Sequence, residues 1–229
     1  MVKDEIFLIA GAPFFFAVGM SEPWKETVLN SMLFCKLYAD KENRFAEGEQ
    51  WSKQYAEAQA QLKWDRTEYN HRGFSPNEES TIVLKDLVEQ SKMSGLIEPG
   101  HLARLMCGIE SSDDPEVVTA EYRKYAVATE QESEAPGAST ISLRISLVTA
   151  EPVVHSVAVS FKTAEPVEVD FLSQSFAGKH VLGKVNVEVT RHLLNKQMYE
   201  REGIRTRVLE RLPANKDALL IKLPCENLY

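Results

Sequence analysis

Residues 6–20 read IFLIAGAPFFFAVGM, the most apolar stretch of the chain, and any fold this protein adopts must find a place for it. A membrane-spanning helix needs about 20 apolar residues, whereas this run is shorter and is interrupted at Pro13. A secretory signal opens with basic residues and ends at a cleavage site; here Asp4 and Glu5 directly precede the run. The pattern predicts two buried strands, residues 5–10 and 14–19, joined at Gly11-Ala12-Pro13. The alternative is a membrane-inserting segment in which Phe14, Phe15 and Phe16 meet lipid or a partner interface. Few Lys or Arg lie nearby to hold such a segment on an anionic bilayer, which favours the interior reading.

Helical spacing follows. Pro23 suits a first helical turn, and Trp24, Val28, Met32, Cys35 and Ala39 mark one apolar face, with a break near Gly48. Trp51, Tyr55, Ala58, Leu62 and Tyr69 predict a second, more exposed amphipathic helix of roughly twenty residues. Ser75-Pro76-Asn77-Glu78 has the form of a capping box and predicts a helix ending at Gly95. A short helix is expected over 99–107, and Asp114-Pro115-Glu116 opens another.

The periodicity changes at EQESEAPGAS, residues 130–139, which has linker composition. Beyond it, Ile141, Leu143, Ile145 and Leu147 point one way and Ser142, Arg144 and Ser146 the other. Val153, His155, Val157, Val159 and Phe161 form the apolar side of a second strand, Val167, Val169 and Phe171 of a third, and Val181, Gly183, Val185, Val187 and Val189 of a fourth. TAEPV recurs at 149–153 and 163–167, as expected of Pro-containing turns in an antiparallel meander. Residues 191–202 have helix-forming composition, and 204–208 and 218–223 are further strand candidates.

The expectation is an α+β fold, with N-terminal helices packed on a largely antiparallel sheet of four to six strands. Residues 1–229 are expected to form one integrated domain, with a helical half over 21–130, a linker over 131–139 and a β-rich half over 140–229.

The net charge of −8 makes nucleic acid a poor partner. Residues 1–138 hold 14 basic and 24 acidic side chains, and residues 139–229 hold 12 and 10, a polarity suited to head-to-tail contact between copies. Arg201, Arg205, Arg207 and Arg211 form a basic stretch that suits an anionic partner. Cys35, Cys107 and Cys225 are odd in number and form no CxxC, which argues against zinc or a disulfide framework and fits a reducing compartment.

Catalytic motifs are sparse. Gly178-Lys179-His180-Val181-Leu182-Gly183-Lys184 has the spacing of a phosphate-binding loop, but Val185 stands where a Ser or Thr is needed and a strand pattern follows where a helix is needed. Of His71, His101, His155, His180 and His192, none forms a close pair, and His155, on an apolar strand face, is the weak catalytic candidate. No cofactor or metal is expected. The leading expectation is a non-enzymatic interaction or self-assembly protein, a homo-oligomer in the cytoplasm by default, with signal-independent secretion left open. The alternatives are a lipid- or membrane-interacting effector that uses residues 6–20, and an enzyme whose site is invisible in the sequence.

Overall fold

The computed structural model describes residues 4–91, 99–128 and 137–224. The predicted linker falls mostly outside the described residues, as do Gly95 and Cys225. The first half of the chain forms β1 (Glu5–Ile9), β2 (Ala12–Phe16), α1 (Glu22–Ala39), α2 (Gly48–Gln61), β3 (Trp64–Phe74), β4 (Thr81–Val83), α3 (Leu84–Glu89), α4 (Pro99–Glu110) and α5 (Pro115–Ala126). There follow β5 (Val127–Ala128), β6 (Ser139–Val148), β7 (Val153–Thr163), β8 (Ser175–Ala177), β9 (Val181–Leu194), α6 (Lys196–Arg201), α7 (Ile204–Arg211) and β10 (Leu220–Leu223).

The fold is mixed α+β, with seven helices among the described residues. The main sheet runs β10-β1-β2-β6-β7-β9-β3, with β5 also paired to β6, and β4 and β8 form a separate two-stranded sheet. Every neighbour in the main sheet is antiparallel except β2 on β6. The sheet therefore has eight strands rather than the expected four to six.

The opening hairpin, β3 and β5 supply the additional strands, while residues 167–171 and 204–208 supply none. β1 and β2 close around Ala10 and Gly11, with φ of 45° and 85°. Two positive φ values match a tight turn to the twist of its strands. Glycine is also required by space, because a Cβ on Gly11 would lie 2.6 Å from the Cβ of Tyr125. The hairpin inserts between β10 and β6, so Phe14, Phe15 and Phe16 are 2%, 0% and 1% exposed. They lie in the interior.

Other expectations are corrected. The second helix stops at Gln61, the chain turns at Lys63 (φ 64°), and residues 64–74 are strand. A register shift between Arg66 and Glu68 switches which residues share a face, so the strand shows no continuous alternation. Residues 75–80 form a turn rather than a helix start: Ser80 bonds back to Asn77 O, and pairing of β4 with β8 takes the following residues, so helix begins only at Leu84. Residues 167–171 are not a strand; Gln174 bonds both Glu168 N and Pro166 O, and Phe171 stacks on Tyr122. Strand β9 runs on to Leu194, and α6 starts only after Asn195 caps it at Met198 N, 3.1 Å. Residues 204–208 belong to helix α7, whose buried Ile204 and Val208 lie at helical spacing.

The two faces of the central sheet differ. One carries Ile141, Leu143, Ile145, Val157, Val159, Phe161, Val185 and Val189, all buried. Phe161 meets Phe176 of β8 edge to face, so the small sheet backs this side. The other face carries Thr140, Ser142, Arg144 and Ser146 on β6, Ser156, Ala158 and Ser160 on β7, and Asn186, Glu188, Thr190 and His192 on β9.

Phe15 lies opposite Ile6 on β1 and Leu147 on β6, with its ring against His101 at 5.0 Å. Phe15→Ala is expected to cost about 3–5 kcal/mol of stability in urea denaturation, the usual loss for a fully buried aromatic. A loss below about 1 kcal/mol would remove the hairpin from the core.

Candidate functional site

Alternation of polar and apolar residues normally separates solvent from core. Here the polar face is roofed by α2, and a cleft of about 1360 Å³ lies between helix and sheet. Side-chain size explains the space. Ser142, Ala158 and Ser160 on the sheet and Ser52, Ala56 and Ala60, spaced four apart along α2, all line it and none can fill it. Trp51 and Tyr55 of α2, which stack at 5.2 Å, and Trp64 at the start of β3 supply aromatic walls.

Arg144 is the centre of the floor. It is 7% exposed, and its guanidinium reaches past Ala158 to the Glu188 carboxylate at 2.8 Å. Burial works against its charge, and Glu188 more than compensates, holding the guanidinium protonated. Arg44, from the segment between α1 and α2, donates to Ser142 O at 2.6 Å and to Ser142 Oγ at 3.1 Å, and packs over the Tyr125 ring at 3.9 Å. Arg66, His71 and Tyr69 of β3 and Glu47, Glu49, Lys53 and Glu57 around α2 are exposed and form the rim.

The floor is under-bonded. Seven buried polar atoms on side chains lining this cleft meet no hydrogen-bond partner among the described residues. These are Nε and Nη1 of Arg44, Nε of Arg144, Nε1 of Trp64, Nδ1 of His192 and the hydroxyls of Thr140 and Thr190. Each such group costs free energy unless something bonds it. His192 is 3% exposed; burial first, then the guanidiniums of Arg144 and Arg66, push its pKa down from 6.5 to about 4, so it is neutral at pH 7.

The residues singled out from sequence lie elsewhere. His155 sits half-buried on the opposite face, its pKa lowered by burial and by Arg191. Arg201 is on α6 and Arg205, Arg207 and Arg211 are on α7, and none of the four lines the cleft. Arg205 bonds Pro23 O and Thr27 Oγ1 of α1, and Arg207 pairs with Glu202 at 3.8 Å. Gly178–His180 is a single 3₁₀ turn leading into strand β9. Sequence reasoning passed over Arg44, Trp64, Thr140, Arg144, Glu188, Thr190 and His192. The available signal was the run of small residues on that face of β6 and β7, Ser142, Ser146, Ser156, Ala158 and Ser160, where solvent-facing strands favour larger polar side chains.

Among the described residues there is no group of three His, Cys, Asp or Glu able to hold a metal, and no helix long and apolar enough to cross a membrane. The chain matches no model of a known protein family, and no curated protein is similar to it.

Two outcomes follow from the floor. Thr190→Val removes an orphaned hydroxyl at constant shape and is expected to raise unliganded stability by about 1 kcal/mol in urea denaturation; a loss of that size would mean that the hydroxyl is already bonded. His192 takes up a proton less readily folded than unfolded, so the unfolded chain protonates first as pH falls. Stability is therefore lost between pH 6.5 and about 4, and His192→Gln is expected to remove roughly 3 kcal/mol of that loss when the two denaturation series are subtracted.

Proposed function

We propose that this chain is a non-enzymatic binding protein whose cleft between α2 and the polar sheet face holds a small polar molecule. The observation that carries this reading is the cleft itself, walled by Trp51, Tyr55 and Trp64 and lined by the polar side chains of Arg44, Arg144, Glu188, Thr190 and His192. A sheet that needed only a roof would carry apolar residues beneath α2, since an apolar pair packs without leaving donors unmet. Keeping arginine, histidine, threonine and tryptophan side chains there suits a lining that meets a polar occupant.

The cleft, at about 1360 Å³, is large enough to enclose a metabolite-sized ligand. Its aromatic walls supply contact area, and its polar atoms orient what lies against them. Binding fits the lining better than covalent catalysis. A nucleophile needs a hydrogen-bonded base, and the hydroxyls of Thr140 and Thr190 and Nδ1 of His192 all lack partners among the described residues. The lipid alternative has lost its motivating feature, because Phe14, Phe15 and Phe16 are interior.

The test is a ligand-observed NMR screen of the full chain with a fragment set spanning acids, amides, sugars and nucleosides, followed by thermal denaturation with each hit. At a hundredfold excess over Kd, a true ligand is expected to add about 2.7 kcal/mol of stability. Ala158→Phe, which fills the floor, is expected to abolish the effect. A screen without a saturable hit, or hits that bind Ala158→Phe unchanged, would overturn the proposal.

A further inference from the structure

The main sheet ends on one side at β3, and no described residue pairs with the outer edge of that strand. An unpaired edge offers free N–H and C=O groups to another strand, and long edges are usually blunted by Lys, Pro or a bulge. β3 is 11 residues long and holds neither Lys nor Pro. Its register shift, between Arg66 and Glu68, is folded back onto β9: Thr67 Oγ1 donates to Arg191 O at 3.2 Å and accepts from Arg191 Nη1 at 2.8 Å. Past that point Glu68 to Phe74 run in unbroken register with Arg191 to Val185. Glu68, Tyr69, His71 and Arg72 are exposed along this regular edge. Arg72 packs over the Phe74 ring at 4.8 Å, and neither it nor Glu68 forms an ion pair among the described residues.

The order of the charges suits a second copy of the chain, met through a two-fold axis normal to the sheet. Antiparallel strands set directly opposed side chains on the same face. Such an axis keeps every residue on its own face, so it must pass through a residue and not between two. An axis at Glu68 or Arg72 sets a charge against itself. One at Tyr69 brings Arg72 towards the partner's Arg66, and one at His71 leaves Glu68 opposite Phe74 and Arg72 opposite Asn70. An axis at Asn70 sets Glu68 opposite the partner's Arg72, and symmetry repeats the pair. It also sets Tyr69 opposite His71, and Asn70 opposite itself, where one amide can donate to the other. The opposite edge of the sheet, β10, has only 4 residues, and its Lys222 already pairs with Glu5. Head-to-tail joining of β3 to β10 would leave most of β3 bare.

We propose that the β3 edge is a two-fold interface at which a second copy of this chain pairs antiparallel over Glu68–Arg72, with Asn70 on the axis. The pairing joins two main sheets into one continuous sheet. It stands whether or not the cleft holds a ligand. One strand pair is a small interface, so the dimer is weak and forms with rising concentration.

The experiment is sedimentation velocity of the full chain over a concentration series reaching about millimolar, at low and high salt. The expected result is a monomer–dimer equilibrium without larger species, weakened by salt. Glu68→Arg and Arg72→Glu each set like charges opposite one another twice, and each is expected to weaken the dimer about tenfold or more. The double variant restores opposite charges in reversed order and is expected to recover most of the loss. Both side chains are exposed, so all three variants are expected to keep the urea midpoint of the unaltered chain, measured at a concentration where it is monomeric. A chain that stays monomeric throughout, a dimer indifferent to both reversals, or a double variant no better than the single ones would overturn the proposal. Growth beyond the dimer would overturn it in favour of head-to-tail joining.

Discussion

A guanidinium taken out of water must be paired, and Arg144 is paired across the sheet. Its partner, Glu188, stands two strands away, and Ala158 between them is small enough to let the side chain pass. An ion pair of this kind contributes little net stability, because desolvation offsets the attraction, but removing one partner leaves a buried charge that is expensive. The pair therefore constrains its surroundings. The residues around it stay small or polar, α2 cannot press flat onto the sheet, and the cleft is what remains. The apolar opposite face, backed by Phe176 and the small sheet, supplies the hydrophobic burial that allows this face to stay under-packed.

The opening hairpin is the second constraint. β2 joins β6 in parallel while β1 takes β10 on its far side, so residues near both ends of the described chain lie adjacent in one sheet. Burial of β1 and β2 explains their near-continuous apolar sequence, since strands covered on both faces do not alternate. Arg44 ties the same region to the cleft: its ring partner Tyr125 packs directly over Gly11 in the hairpin turn, while its guanidinium grips Ser142 on the floor.

Legibility in the sequence followed the range of the interactions. The hairpin, α1, α4, α5, β6, β7 and β9 were readable because each is specified by its own periodicity, breakers or caps, as where Asp114 accepts from Val117 N. The residues that went wrong are those whose conformation is decided by a distant partner. The start of β3 has helical spacing in the sequence because its register shift near Thr67 disrupts the alternation, and only pairing with β9 makes it strand. The capping pattern at Ser75 lost to the pairing of β4 with β8. Of the candidate site, alternation alone places Ser142 and Arg144 on the face opposite the apolar one, but nothing local distinguishes that face from a solvent-facing one. Thr190 and His192 lay beyond the point at which the fourth strand was expected to end.

Composition, period and turn chemistry by themselves determined that this chain buries the apolar run between Ile6 and Phe16, follows it with amphipathic helices and carries alternating strands in its second half. Those are local properties, set by side-chain spacing against a backbone repeat. What only the tertiary structure decided is where the polar side of the alternation goes. No residue on β6, β7 or β9 encodes whether water or a helix lies above it. That depends on α2, some eighty residues away from β6 in the chain, coming to rest over the sheet. Its arrival turns Ser142, Arg144, Thr190 and His192 from what reads as an ordinary wetted surface into a sheltered, donor-rich floor, because the same polar groups that are satisfied by water when exposed go unmet once a roof excludes it.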